Sequence, residues 1–150
     1  MESRLSECYI GRATIRALTN STAEALRYSD LAVVASGTAT MVATLLECPM
    51  IVVYRVSPIS WLMGKFMVDV PFYSMVNLLA KKAVVPELIQ DDFKAEPLAE
   101  RCAYFLDNPK AREEMVRELR ALRPRLGPGG AIGRAAEAIL GVLQPSAVVT

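Results

Sequence analysis

Two apolar runs, Leu31 to Ala35 and Met50 to Tyr54, bracket a helix-forming stretch and leave this chain few ways to fold. The first run is bounded by Asp30 and Ser36-Gly37, the pattern of a strand buried on both faces of a parallel sheet. Thr38 to Glu47 reads as a helix that Cys48-Pro49 stops, and Met50 to Arg55 reads as a second buried strand. Strand, helix and strand in roughly 25 residues predict a right-handed crossover, the unit of doubly wound α/β folds.

Around this unit the pattern is plainer. Residues 1–20 form a lead-in with a candidate first strand from Ala13 to Leu18. Ser21-Thr22-Ala23-Glu24 offers a hydroxyl cap and a first-turn acid for a short helix to about Tyr28. Ile59 to Val70 is helix-length and apolar almost all round, with Lys65 and Asp69 its only charges, and Pro71 ends it. Phe72 to Met75 is expected as a short strand and Asn77 to Lys81 as a helical turn. Val84 to Gln90 is expected to start a short helix, with Pro86 near its first position and Glu87 in its first turn. Glu96 to Asp107 carries Leu98, Cys102, Phe105 and Leu106 on one side of a helix. Pro109 opens another, with a narrow stripe of Met115, Leu119, Leu122 and Leu126 and with Pro124 against its last turn. Gly127-Pro128-Gly129-Gly130 is a break, Ala131 to Leu143 a last helix, and residues 144–150 a frayed tail.

Composition excludes several classes of function. A length of 150 residues suits one domain with a real core. A net charge of +1 supplies no field to recruit nucleic acid, and no aromatic cluster accompanies a basic stripe, so no nucleic-acid partner is expected. The absence of histidine removes imidazole bases, His-based metal sites and Ser-His or Cys-His triads from this chain. Cys8, Cys48 and Cys102 are widely spaced and lack a C-x-x-C pair, which fits reduced cytosolic thiols. The longest uncharged run, Leu31 to Leu46, is too short and too polar to cross a bilayer. Hydrophobic content of 53% is high, so either much is buried or an apolar surface meets a partner, a lipid or a missing half of the protein.

The strand-to-helix turn is the first candidate site. Gly37 allows close backbone approach, Ser36 and Thr38 supply hydroxyls, and the N–H groups of Thr38 to Thr40 point at an anion. The same residues also serve simply to cap a helix. The turn is neither a P-loop nor a G-x-G-x-x-G fingerprint nor a nucleophile elbow. Tyr54 and Arg55 end the next strand on the same sheet edge, where open α/β sheets bind ligands. Arg55 faces either a diphosphate or sugar there, or solvent and an ion-pair partner. Asn77 and Pro86-Glu87 read as loop-to-helix junctions on the same edge, where a helix cap at Asn77 and a first-turn charge at Glu87 are adequate structural explanations. Ile59 to Val70 is either a buried helix or a surface for acyl chains and a membrane interface, for which Trp61 and Lys65 are suited. The basic run Lys110, Arg112, Arg117, Arg120, Arg123 and Arg125, interleaved with glutamates, reads as a solvated helix face.

Four ordered segments, residues 29–40, 48–58, 77–80 and 84–90, resemble the lipid-A-disaccharide synthase family in register from about Ala23 to Leu143. The resemblance implies an α/β fold, a Rossmann-like parallel-sheet half of a GT-B glycosyltransferase with helical C-terminal elements. Residues 21–143 would be its UDP-sugar-binding domain. Ser36, Gly37, Thr38 and Ala39 would hold the UDP diphosphate, Tyr54 and Arg55 would lie close to the donor, and Asn77 and Glu87 would line the same cleft. The implied reaction joins UDP-2,3-diacylglucosamine to 2,3-diacylglucosamine 1-phosphate and releases UDP. It takes place at the cytoplasmic face of the Gram-negative inner membrane, with the protein peripheral on that surface. No metal and no cofactor are implied, the UDP-sugar being a substrate. The family's enzymes are much longer than this chain, which corresponds to the donor-side half, so no catalytic residue is assigned. A separate acceptor half or a second copy is the partner implied. The rival reading is a non-catalytic nucleotide-sugar-binding or partner module. Two positions depart from the family: Met41-Val42 stands where a Leu-Glu pair is common, and Val76 where a proline is usual. A Glu at position 42 would accept ribose hydroxyls, and Val42 does not.

Overall fold

The computed structural model describes residues 13–57, 71–127 and 129–143. The lead-in to residue 12 with Cys8, the apolar segment Ile59 to Val70 and the tail 144–150 lie outside the described residues. Three short parallel strands form the sheet: β1 (Ala32–Ala35), β2 (Met50–Tyr54) and β3 (Glu87–Ile89), in the order β1-β2-β3. Val34 lies opposite Val52, and Val52 opposite Glu87. Helix α1 (Thr22–Arg27) precedes β1, α2 (Thr38–Leu45) joins β1 to β2, and α3 (Met75–Ala80) precedes β3. The chain then runs through α4 (Ala95–Asp107), α5 (Pro109–Leu122) and α6 (Ala131–Leu143), with 3-10 turns at Gln90–Asp92 and Arg123–Leu126. This is an α/β fold with a Rossmann-like parallel sheet and helical C-terminal elements.

Sequential parallel strands joined by crossovers of one hand put their connecting helices on one face of the sheet, and α2 packs against α3 accordingly. The core centres on β2: Met50, Ile51 and Val52 are fully buried, with Val76, Val85 and Leu119 packed around them. Of the expected α5 stripe, Met115, Leu119 and Leu122 are buried, whereas Leu126 falls in the 3-10 turn after the helix and is half-buried. The Met50 N–H even donates to Met115 Sδ at 3.3 Å. Pro124 ends that helix in the 3-10 turn.

The structure corrects several local expectations. β1 is not buried on both faces: Val34 is buried but Val33 is 47% exposed, so the face of β1 that carries Val33 is left largely uncovered. Between Ala13 and Leu18 only Ala13 makes an isolated bridge, and the rest has no regular structure. Phe72 has no regular structure and Tyr73 and Ser74 form a bend where a strand was expected, and α3 starts at Met75. The segment 84–90 contains a strand where a helix was expected; pairing of Glu87–Ile89 with β2 outweighs the local helix-start signal of Pro86-Glu87. Ser21 occupies the N-cap of α1, but its hydroxyl donates to the Thr19 carbonyl rather than capping. On α4, Phe105 is buried and Leu98 and Cys102 are half-buried, while Leu106 is exposed.

Four of the six basic residues of the run bond at helix ends, while Arg117 pairs with Glu114 on the exposed face of α5. Arg112 donates to the Phe105 and Leu106 carbonyls at the end of α4, and Arg125 to the Leu79 carbonyl at the end of α3. Arg120 and Arg123 pair with Glu47 just beyond α2.

Candidate functional site

The site is built where β1 turns into α2. The Ser36 N–H donates to the Val53 carbonyl at 2.9 Å, carrying the β1–β2 ladder one residue past the strand. Gly37 then caps α2 with φ 151° and ψ −156°, a backbone region that favours glycine. A Cβ at Gly37 would meet nothing within 4 Å, so the requirement is conformational and the space above the turn is open.

Of the amides from Ser36 to Thr40, those of Ser36 and Thr40 have backbone acceptors, Val53 and Gly37 respectively. The Thr40 hydroxyl also donates to the Gly37 carbonyl at 2.6 Å, and Thr44 donates to Thr40 O at 2.8 Å. The expected three-amide cradle therefore narrows to Thr38 and Ala39, because Thr40 closes the first turn of the helix. Both Thr38 and Ala39 are exposed, no side chain caps this helix end, and no acid sits in its first turn. Its partial positive charge is left to whatever anion lies above it.

Ser36 departs from the expected role. Its hydroxyl donates to the Tyr73 carbonyl at 3.2 Å, so its hydrogen is directed to protein rather than outward. The Tyr73–Ser74 bend is in turn gripped by Glu87, whose carboxylate accepts from Tyr73 N at 2.8 Å, Ser74 N at 2.9 Å and Asn77 Nδ2 at 2.7 Å.

Asn77 is not the helix cap that the sequence suggested. Ser74 is the cap, accepting from Asn77 N at 3.2 Å, and Asn77 stands inside the first turn, 1% exposed. Asn77 Oδ1 accepts from Val84 N and Val85 N, and Nδ2 donates to Val85 O and Glu87, which satisfies every position of the amide. Serine is a preferred N-cap residue and Ser74 stands directly before the helix, so the cap was findable.

Arg55 is tied to the segment after β3. Its guanidinium donates to the Gln90 and Phe93 carbonyls and lies 5.2 Å over the Phe93 ring. Gln90, in a left-handed conformation, pairs its side-chain amide with both Val56 N and Val56 O. Sequence reading missed this clip, and nothing in the local pattern of Gln90 signals it. Tyr54 is half-exposed at the end of β2, beside the Val53 carbonyl that receives Ser36.

Thus Ser36, Asn77 and Glu87 form one connected network, Gly37, Thr38 and Ala39 form the open turn beside it, and Arg55 belongs to a separate clip. A cleft of 670 Å³ lined by Asp91, Lys94, Arg101 and Tyr104 shares Glu87 with the network but does not include the turn. Val42, half-buried, packs against the core. Burial pushes the Cys48 and Cys102 thiols up from their ordinary range, which leaves them protonated and poor nucleophiles. Among the described residues no group of three or more acidic or Cys side chains is arranged to hold a metal ion.

Comparison with known proteins gives these features a context. The family model described as lipid-A-disaccharide synthetase matches residues 10–125. The lipid-A-disaccharide synthase of Solibacter usitatus (strain Ellin6076) is 47% identical over 136 residues, 90% of this chain and 36% of that protein. That of Myxococcus xanthus (strain DK1622) is 46% identical over 125 residues, 83% of this chain and 33% of the relative. That of Syntrophus aciditrophicus (strain SB) is 39% identical over 132 residues, 88% and 34% of the two chains. The chain spans about a third of the length of the curated relatives it matches.

Proposed function

The chain belongs to the lipid-A-disaccharide synthetase family, and from that premise we propose that it supplies the donor-binding side of a lipid A glycosyltransferase of GT-B type. Residues 21–143 would form the UDP-sugar-binding domain. The single observation that carries this reading is the open β1–α2 turn, with Gly37 in a glycine-requiring conformation and the exposed Thr38 and Ala39 opening an uncapped helix. A diphosphate seated there would be held by amides and the helix end, and the same groups would stabilise charge on departing UDP.

The donor would be UDP-2,3-diacylglucosamine and the acceptor 2,3-diacylglucosamine 1-phosphate, giving lipid A disaccharide and UDP. Transfer between two substrates requires both to be held together, so the acceptor side must come from residues beyond the described ones or from a partner chain. The donor's acyl chains would bring the protein to the cytoplasmic surface of the inner membrane as a peripheral protein. No helix among the described residues is long and apolar enough to cross a membrane.

Calorimetric titration of UDP into the chain tests the reading. Wild type is expected to bind and Gly37→Val to lose binding, since a β-branched residue cannot adopt the Gly37 conformation. Wild type that takes up no UDP overturns the donor-site reading.

A further inference from the structure

We infer that Glu87 is a positioning residue for the donor site: through the Tyr73–Ser74 peptide it fixes the Ser36 hydroxyl as a hydrogen-bond acceptor toward bound ligand. The inference rests on the donor-site reading above. One peptide unit separates the two side chains. Its N–H, on Ser74, donates to Glu87 Oε1 at 2.9 Å, and its carbonyl, on Tyr73, accepts from Ser36 Oγ at 3.2 Å.

The carboxylate is locked in place by two further donors, Tyr73 N at 2.8 Å and Asn77 Nδ2 at 2.7 Å. Asn77 is itself buried and fully bonded, so the donor that holds the anchor is fixed in turn by the backbone of Val84 and Val85. A charge-assisted bond to a peptide N–H polarises that peptide and makes its carbonyl a stronger acceptor. Glu87 therefore strengthens the pull on the Ser36 hydrogen.

A serine hydroxyl has one hydrogen and two lone pairs. With the hydrogen held by Tyr73 O, Ser36 offers only lone pairs to the space above the turn. It would receive a hydroxyl of the ligand and would not donate to a phosphate oxygen. The anion is left to the Thr38 and Ala39 end of α2. This division of labour suits a ligand that carries both a diphosphate and sugar hydroxyls.

The test titrates UDP-N-acetylglucosamine and inorganic pyrophosphate into wild type, Ser36→Ala, Glu87→Gln and the double variant, with thermal unfolding as the check on folding. Each single variant is expected to weaken the UDP-sugar about ten-fold, the worth of one hydrogen bond. The double variant is expected to be no weaker than Glu87→Gln alone, because both act through one hydroxyl, and Ser36→Ala is expected to leave pyrophosphate unchanged. Additive losses, an unaffected Glu87→Gln, or pyrophosphate binding lost in Ser36→Ala would each overturn the inference. Wild type that binds neither probe overturns the donor-site reading itself, and this inference with it. If Glu87→Gln does not fold, the Ser74 amide resonance decides: it is expected to move upfield in Ser36→Ala, and an unmoved signal overturns the relay.

Discussion

Asn77 donates from its side-chain amide to Glu87 Oε1 at 2.7 Å, joining the first turn of α3 to the start of β3 across ten positions of sequence. The contact sits between two obligations. Asn77 must satisfy the backbone of Val84 and Val85, and Glu87 must satisfy the bend at Tyr73 and Ser74. The bend that supports Ser36 is thereby tied to the segment entering the third strand.

Replacing Asn77 by Ala orphans Val84 N, Val85 N and Val85 O in a closed part of the fold. Unsatisfied buried groups set the expected loss at about 2–4 kcal/mol, read from urea unfolding. A loss under about 1 kcal/mol would mean that water takes over these bonds.

At Gly37 a methyl group meets no atom within 4 Å, so Gly37→Ala isolates the backbone cost. Forcing an L side chain into this conformation is expected to cost about 1–3 kcal/mol of stability. An alanine variant as stable as wild type would show that the turn relaxes to another conformation.

Glu47 carries a pH dependence of definite sign. Its hydrogen bond to Arg120, with the nearby Arg120 and Arg123 charges, holds its carboxyl below the ordinary range. A depressed folded-state pKa gives stability that is present above the unfolded pKa and lost as pH falls through the folded one. Wild type is therefore expected to lose slightly more stability than Glu47→Gln between pH 5 and 3, by denaturant titration at low salt. The difference should fade in high salt because the pair is at the surface. Parallel pH profiles for the two proteins would remove the ion pair from the account.

Leu119 and Ile132 form a contrast within the helical C-terminal part. Leu119 is 0% exposed in the core and Ile132 is 87% exposed on α6. Leu119→Ala is expected to cost about 2–5 kcal/mol and Ile132→Ala less than about 0.5 kcal/mol. A comparable loss at Ile132 would show that α6 is covered in solution.

Much of the architecture was legible because the signals were local. The apolar runs at Leu31 and Met50 announced β1 and β2, Pro109 announced α5, and the stripe of Met115, Leu119 and Leu122 announced its buried face. β3 was not legible, since Pro86-Glu87 looks like a helix start and only pairing with Val52, Val53 and Tyr54 makes it a strand. The exposure of Val33 was equally hidden, because an apolar run does not say whether both faces of its strand will be covered.

For the site, the chain's own order of residues determined the turn: a strand, then Ser-Gly-Thr, then a helix, with glycine where φ is positive. Family membership too was written in four short ordered segments. Only the tertiary structure decided which groups remain available. It bound the Ser36 hydrogen to Tyr73, enclosed Asn77, turned Arg55 toward Gln90 and Phe93, and made Glu87 an anchor instead of a helix charge. The physical reason is range. Propensity and periodicity act over a few residues, whereas a polar side chain is satisfied by whichever donor or acceptor the fold brings within hydrogen-bond reach.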